Sequence, residues 1–449
     1  MSEREFDSRW HDRAARYAKG ASLPLDSPVH ISVEPRFGST YSGQVAAVTA
    51  ASLFGRMTKR VSFDVAAQPI HNALPWSGAS LDEVVEETLR ACHRFGQYEQ
   101  RAARDGDTRL VVGAIGDGLL MHGSGWNGYC GIDPSPLEQS TETNPFGAAF
   151  AVVLGAATLQ QSPRLKLVRA SIADTFRWVD TAQPSNGTTV TPDFEVGELW
   201  DVGAGSVGSS ALFFLGLITR AFRAVLIDGD RVELENVTRT PVYTWMDGLE
   251  EPWKVDALGQ WLSAAGVEQV EIHRAWLDEI RERWVSRQSG TPDVIIAAAN
   301  ERNVRNLIEE MFPPIQIYAT TGRNWQATLF RHIPVKEACS LCVPGSEGKL
   351  SVPLCATGTS QPGPSQEVED DVALPFLSFA AGVMSAAEIA KIAITGRASS
   401  TNRVFFEPSN RGLIRVALSA KPDCACGRRD PVVHRSVIAG SRFAALSDM

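Results

Sequence analysis

The sequence predicts an α/β protein of two domains, each built on a largely parallel sheet. Three observations carry that expectation: a length beyond one ordinary core, an alternation of strands and helices through the second half, and the same order of elements in the first half. The 449 residues are 44% hydrophobic and 21% charged, the composition of a globular chain.

In the first half, HISVEP (His30 to Pro35) reads as a strand, followed by the turn FGSTYSG and an Ala-rich helix from Gln44 to Phe54. The strand RVSFDV (Arg60 to Val65), a helix from Leu81 to Arg94 and the strand RLVVGAIG (Arg109 to Gly116) come next. HGSGWNGYCGI (His122 to Ile132) and a small-residue helix from Asn144 to Gln160 complete it. The stretch from Thr181 to Gly197 is polar, with Pro and Gly, and reads as a linker. The expected domains are therefore residues 1–180 and 198–449, joined by 181–197.

The second half opens with the strand LWDV (Leu199 to Val202), a glycine turn, an apolar helix from Ser209 to about Thr219 and the strand AVLID (Ala224 to Asp228). A helix from Lys254 to Ala265, a buried strand DVIIAAA (Asp293 to Ala299) and a helix from Arg302 to Met311 precede the strands IQIYATTG and WQATLF. HGSGWNGYCGI resembles ATTGRNWQATLF, and the Asn144–Gln160 helix resembles LPFLSFAAGVMSAAEIAK (Leu374 to Lys391). Matches in the same order argue for internal duplication; two unrelated α/β domains are the alternative.

Net charge excludes some functions. At −9 the chain offers no broad surface for nucleic acid or anionic membrane. The longest apolar runs, Gly147 to Leu159 and Phe376 to Ile394, are broken by Gly, Ser or charge, so no membrane span is expected. The charged N-terminus lacks the apolar core of a secretory leader. Of seven Cys, five fall between Cys339 and Cys426, which suggests metal or thiol chemistry in a reducing cytoplasm rather than a disulfide framework.

Gly203-Ala-Gly205-Ser-Val-Gly208 matches GxGxxG between a strand and a helix, where backbone can approach a phosphate at a helix N-terminus. Asp228, at the end of the next strand, would accept from a ribose hydroxyl, as in Rossmann-like domains. The motif alone leaves a nicotinamide or flavin oxidoreductase open. The segment IDGDRVELENVTRTPVY, followed by GLEEPWK, closely resembles the ThiF and ubiquitin-activating (E1-like) family. The resemblance runs from about Glu198 to the C-terminus and implies ATP held by Asp228, Asp230, Asn236, Arg239, Lys254 and Asn300. Arg239 and Lys254 suit that role physically, because cations offset triphosphate charge and stabilise leaving pyrophosphate.

The same resemblance implies two Rossmann-like halves forming an intramolecular pseudo-dimer, the first lacking the nucleotide equipment. An N-terminal arginine of that half would reach the ATP phosphates, for which Arg13 and Arg16 are candidates on an expected helix. The family usually carries a magnesium-binding Asp where this chain has Ala299, leaving Glu301, Asp230 or the triphosphate itself to hold the ion. Cys339, Cys342, Cys424 and Cys426 form two close pairs suited to a tetrahedral zinc site, with His332 and His434 as spare, surface candidates. Cys92 and Cys130 read as core residues. Cys355 lies in the crossover loop (343–374), where family members place the thiol that takes the activated acyl group.

The implied activity is ATP-dependent adenylation of the C-terminal glycine of a ubiquitin-like protein, then thioester transfer through Cys355 to a conjugating (E2-like) enzyme. The compact size resembles bacterial members, some with antiviral roles, and the pseudo-dimer could itself pair. Three other readings stay open: an adenylyltransferase for a sulfur-carrier protein, an NAD-dependent oxidoreductase with an incidental zinc ribbon, and a scaffold that binds a ubiquitin-like tail without adenylating it.

Overall fold

The computed structural model describes residues 1–17, 23–163, 165, 166, 168, 170–280, 291–299, 302–322, 325–342, 374–408, 412–422, 424, 426 and 430–447. The first half contains β1 (Pro28–Val33), β2 (Arg60–Asp64), β3 (Gln97–Gln100), β4 (Thr108–Val112), β5 (Leu119–Ser124), β6 (Asn127–Gly131), β7 (Ser171–Asp174) and β8 (Val179–Asp180). Its main helices are α1 (Glu3–Tyr17), α2 (Tyr41–Met57), α3 (Leu81–Cys92) and α4 (Phe146–Gln161). The second half contains β9 (Gly197–Val202), β10 (Phe222–Ile227), β11 (Gln269–His273), β12 (Val294–Ala297), β13 (Ile315–Gly322), β14 (Gln326–His332), β15 (Arg403–Glu407) and β16 (Gly412–Val416). With them come α5 (Ser206–Gly216), α6 (Lys254–Ala264), α7 (Arg302–Met311) and α8 (Pro375–Thr395).

The two sheets have one topology. The first runs β3-β2-β1-β4-β5-β6-β7-β8 and the second β11-β10-β9-β12-β13-β14-β15-β16. In each, the first five strands in space are parallel and the last three turn antiparallel. The Gly-then-Trp segments that resembled each other in sequence fall at the equivalent hairpins, β5–β6 and β13–β14. Equal order and equal direction over eight strands support the duplication and the pseudo-dimeric fold.

Four helices fill the space between the sheets. α2 is buried along all 17 residues, and α4, α5 and α8 are apolar on nearly every face. A helix apolar all round needs neighbours all round. α8 meets α5 within its own half and α4 and α2 across the boundary. Small residues allow this: a Cβ on Gly382 of α8 would stand 2.4 Å from Ser210 Cβ of α5. α8, 21 residues long, holds an 18-residue window of mean hydropathy 1.5, long and apolar enough to cross a bilayer despite the Gly, Ser and charge expected from the sequence to break it; 89% of that window is buried inside the protein.

Several helices start earlier than the apolar pattern suggests. α2 begins at Tyr41 because the Thr40 side chain accepts from Gly43 N at 3.1 Å, and Gly43 packs too close to Phe37 O for any Cβ. α5 begins at Ser206 with Gly205 as its N-cap. At the boundary between the halves, Trp178 Nε1 donates to Glu388 Oε2 at 3.3 Å and Tyr41 OH to Leu217 O at 2.9 Å. Lys391 lies over the Trp178 ring at 4.3 Å.

Candidate functional site

The C-terminal ends of β9, β10 and β12 meet where the chain leaves β9 in opposite directions across the sheet, the position at which open α/β sheets bind ligands. Gly203 follows β9 with φ +103°, which favours glycine. A Cβ there would also stand 2.8 Å from Ala299 N, so the β12 end packs directly on the turn. Ala298 N and Ala299 N both donate to Val202 O, at 3.0 and 3.1 Å. A Cβ on Gly208 would stand 2.3 Å from Gly203 O, whereas one on Gly205 would meet open space. The turn is therefore tightly packed beneath and open at Gly205, where α5 begins.

Acidic and basic groups gather beside it. Asp228, only 6% exposed, accepts from Asp230 N at 2.8 Å. Burial pushes its carboxyl up to about 6, against the pull of Lys254 and of the Asp230 and Ala204 amides. Lys254 opens α6 and bonds Asp230 twice: its amide to the Asp230 carbonyl at 3.0 Å, its Nζ to Asp230 Oδ2 at 2.7 Å. Arg239 is buried, and its amide donates to Asn236 O at 3.2 Å. Asn236 Oδ1 accepts from Glu233 N at 2.9 Å and so shapes the one-turn helix Leu234–Val237. α1 packs against that same turn, which brings the helix of Arg13 and Arg16 to this end of the second half; their side chains lie outside the described residues, as do Asn300, Glu301 and Cys355.

Three residues that sequence reasoning passed over complete the site. Asp201 is fully buried, its two carboxylate oxygens have no hydrogen-bond partner, and burial together with Asp228 raises its carboxyl well above the usual range. The break in an otherwise apolar strand, LWDV, was the available signal. Tyr243 is also fully buried, and its hydroxyl donates to Ala204 O of the glycine turn and lies 3.2 Å from Lys254 O. Trp276, 38% exposed, lies against Gly229, where a Cβ would stand 2.6 Å from the ring. Just beyond the end of β11 is an open cleft of about 460 Å³ lined by Asp256, Ile272, His273, Arg274, Ala275, Glu279 and Ile280.

A second cluster forms where the chain leaves β14. The sulfurs of Cys339, Cys342, Cys424 and Cys426 lie within 4.8 Å of one another, with separations of 3.9, 3.6 and 3.3 Å for 339–342, 339–424 and 342–426. Four sulfurs about 2.3 Å from one zinc ion would be about 3.8 Å apart, so both geometry and donor type fit a tetrahedral site. Lys421 N donates to Cys342 Sγ at 3.3 Å. His332 and His434 are buried, not on the surface; His332 faces Glu309 at 3.2 Å and is outside the sulfur cluster. Cys92 and Cys130 are buried in the first half, as expected of core residues.

No curated protein matches the chain in sequence. Among solved structures, E. coli MccB with selenomethionine-containing MccA is 15% identical, with a TM-score of 0.41 over 53% of this chain and 68% of that one. E. coli MccB with ATP gives the same values. The microcin C7 biosynthetic enzyme MccB in complex with N-formylated MccA is 14% identical, with a TM-score of 0.39 over 51% and 67%. The model of the ThiF family matches residues 201–427, from the strand before the glycine turn to the second cysteine pair and half of the 449 residues, and the chain therefore belongs to the ThiF family.

Proposed function

We propose that this chain is an ATP-dependent adenylating enzyme whose substrate is the C-terminal glycine carboxylate of a ubiquitin-like protein. The observation that carries the reading is the convergence of Asp228, Asp230 and Lys254 on a glycine turn that is open at Gly205. Family membership sets aside the oxidoreductase alternative. In this reading Asp228 accepts from the ribose hydroxyls, the cleft beyond β11 takes the base, and the α5 N-terminus receives phosphate. Lys254 exchanges Asp230 for the triphosphate, and Arg239 completes the positive field. A carboxylate oxygen of the glycine attacks the α-phosphorus, the bond to the bridging oxygen breaks, and pyrophosphate leaves with its negative charge stabilised by these cations.

Zinc would be held by Cys339, Cys342, Cys424 and Cys426 and would tie the end of β14 to the chain beyond β16. With Ala299 in place of the family's Asp, magnesium would rest on the triphosphate and Asp230. Residues 1–180 would form the inactive half and 198–449 the active one, with Arg13 or Arg16 reaching across. Cys355 would take the acyl group from the adenylate, releasing AMP, and pass it to a conjugating enzyme's thiol.

Exchange of labelled pyrophosphate into ATP, stimulated by a ubiquitin-like protein with a terminal glycine, tests the adenylation. Lys254→Ala should abolish the exchange, and retained exchange in that variant would overturn the phosphate assignment. A thiol-sensitive adduct that disappears in Cys355→Ala supports conjugation; exchange without any adduct favours the sulfur-carrier reading.

A further inference from the structure

Arg56 belongs to α2, in the half without the glycine turn, and is 3% exposed. Its guanidinium reaches across the boundary. Nε donates to Val237 O at 2.9 Å and one terminal nitrogen to Tyr243 O at 2.9 Å. The other terminal nitrogen is anchored at home, on Ser52 O and Oγ at 2.9 Å each and on Cys92 Sγ at 2.8 Å. Among the described residues its acceptors are all neutral, which is unusual for a charge so deeply buried. Neutral acceptors give no ion pair to account for it, whereas a rigid planar fork suits carbonyls that must be held at a fixed separation.

The two carbonyls bracket Arg239. Val237 lies two residues before it and Tyr243 four residues after it. Tyr243 then connects inward, its hydroxyl bonding Ala204 O of the glycine turn and lying near Lys254 O. Trp245, at the end of the same segment, donates from its amide to Ala91 O and from Nε1 to Arg90 O, both at 3.0 Å, at the C-terminus of α3. The segment carrying Asn236 and Arg239 is thus docked at both ends on the opposite half.

We infer that Arg56 is a positioning residue for the phosphate end of the nucleotide site, so that the half lacking a glycine turn sets the placement of Arg239 in the half that has one. This rests on the reading of Arg239 as a triphosphate cation. The guanidinium does not touch the nucleotide; it fixes the backbone on which the touching cation is carried. Its loss should therefore weaken recognition of phosphates and spare recognition of the nucleoside.

The test compares affinities of the full chain for ATP and for adenosine, by calorimetric titration, in wild type, Arg56→Met, Arg239→Ala and the double variant. Expected is a loss of about tenfold or more in the ATP-over-adenosine preference in each single variant, with adenosine affinity held within about twofold. The double variant should lose no more than Arg239→Ala alone, because both changes remove one contribution. Should Arg56→Met fail to fold, Arg56→Lys is judged by the same criteria, since one ammonium cannot span both carbonyls. Equal weakening of ATP and adenosine, or additive losses in the double variant, would reduce Arg56 to a structural residue and overturn the inference. A changed preference in Arg239→Ala beside an unchanged one in both Arg56 variants overturns the inference alone. An unchanged preference in Arg239→Ala overturns the phosphate reading and the inference with it.

Discussion

Replacing Asp228 by Asn should stabilise the protein while removing its hold on nucleoside. Asp228 is buried, and desolvation lifts its carboxyl from 3.8 to about 6. A carboxylate with a raised folded value keeps its proton in the folded state while the unfolded chain has already ionised. Stability is thus lost as pH rises from about 4 to about 6, and above that the shift corresponds to a cost of about 3 kcal/mol. Asn removes the charge and retains an oxygen for the Asp230 amide, at 2.8 Å in the native protein. Denaturant unfolding at about pH 8 should therefore show Asp228→Asn more stable, by up to about 3 kcal/mol. Binding should move the other way. If the ionised carboxylate accepts from the ribose hydroxyls, wild-type affinity for adenosine should be about tenfold weaker at about pH 5 than at about pH 7, an effect of about 1.4 kcal/mol. Adenosine carries no group titrating in that range, and 2′,3′-dideoxyadenosine should show no such slope. A wild-type affinity flat across that range, or an Asn variant less stable at pH 8, would refute the idea that a strained buried charge is kept for the ribose.

Two further outcomes follow from the other clusters. Cys342→Ser should lower zinc from about one ion per chain to a trace in metal analysis, and should lower the unfolding midpoint, since metal bound only by the folded state contributes its binding energy to folding. Full zinc content in that variant would remove Cys342 from the ligand set. Glu388→Gln should destabilise the chain by about 3–5 kcal/mol in equilibrium unfolding, because it leaves buried Lys391 without its carboxylate and Arg331 with Glu337 alone. Glu388 is held down to about 2, with Lys391 and Arg331 outweighing the cost of burial, so its contribution should persist to low pH and fade only as pH falls toward 2. A change below about 1 kcal/mol would mean the network is not sharing charge as its geometry implies.

The elements legible in the sequence were those whose pattern is local. β13 spans Ile315–Gly322 and α7 spans Arg302–Met311, as their residues suggested, and the GxGxxG turn stands where the strand–helix change placed it. β3, with the sequence QYEQ, and β8, only two residues long, carry no alternation to detect and exist because a neighbouring strand offers an edge. β15 and β16 likewise continue an antiparallel run that only the sheet order reveals. In the site, Gly203, Asp228 and Lys254 were readable because they fall in one ordered motif. Tyr243 and Arg56 were not, since each acts through partners distant in sequence. Arg56 and Val237 are separated by 181 positions, a relation that no spacing rule encodes.

The first half has no glycine turn at the equivalent place, and its strand ends are filled differently. Its sheet has the same order, so β1 ends where a nucleotide turn would begin, yet the next residue is Glu34. Its carboxylate accepts from Ala114 N at 3.1 Å and pairs with Arg36, and Pro35–Gly38 wraps into a one-turn helix. A Cβ on Gly113 would stand 2.7 Å from that carboxylate, so Glu34 fills the space beside the β4 end. The Glu34 carboxylate thus occupies the Ala114 amide and the space beside the β4 end that a phosphate would otherwise have to share. The helices behind it meet a different demand. α2 and α4 are packed against both their own sheet and the second half, and α2 carries Arg56 to the Arg239 segment. A half that loses ligand contact at its strand ends can accumulate charge there at little cost, whereas its interior helices remain bound to the partner half's packing. In the proposed reading the first half holds no nucleotide at its strand ends, while its buried helices pack against the half that does.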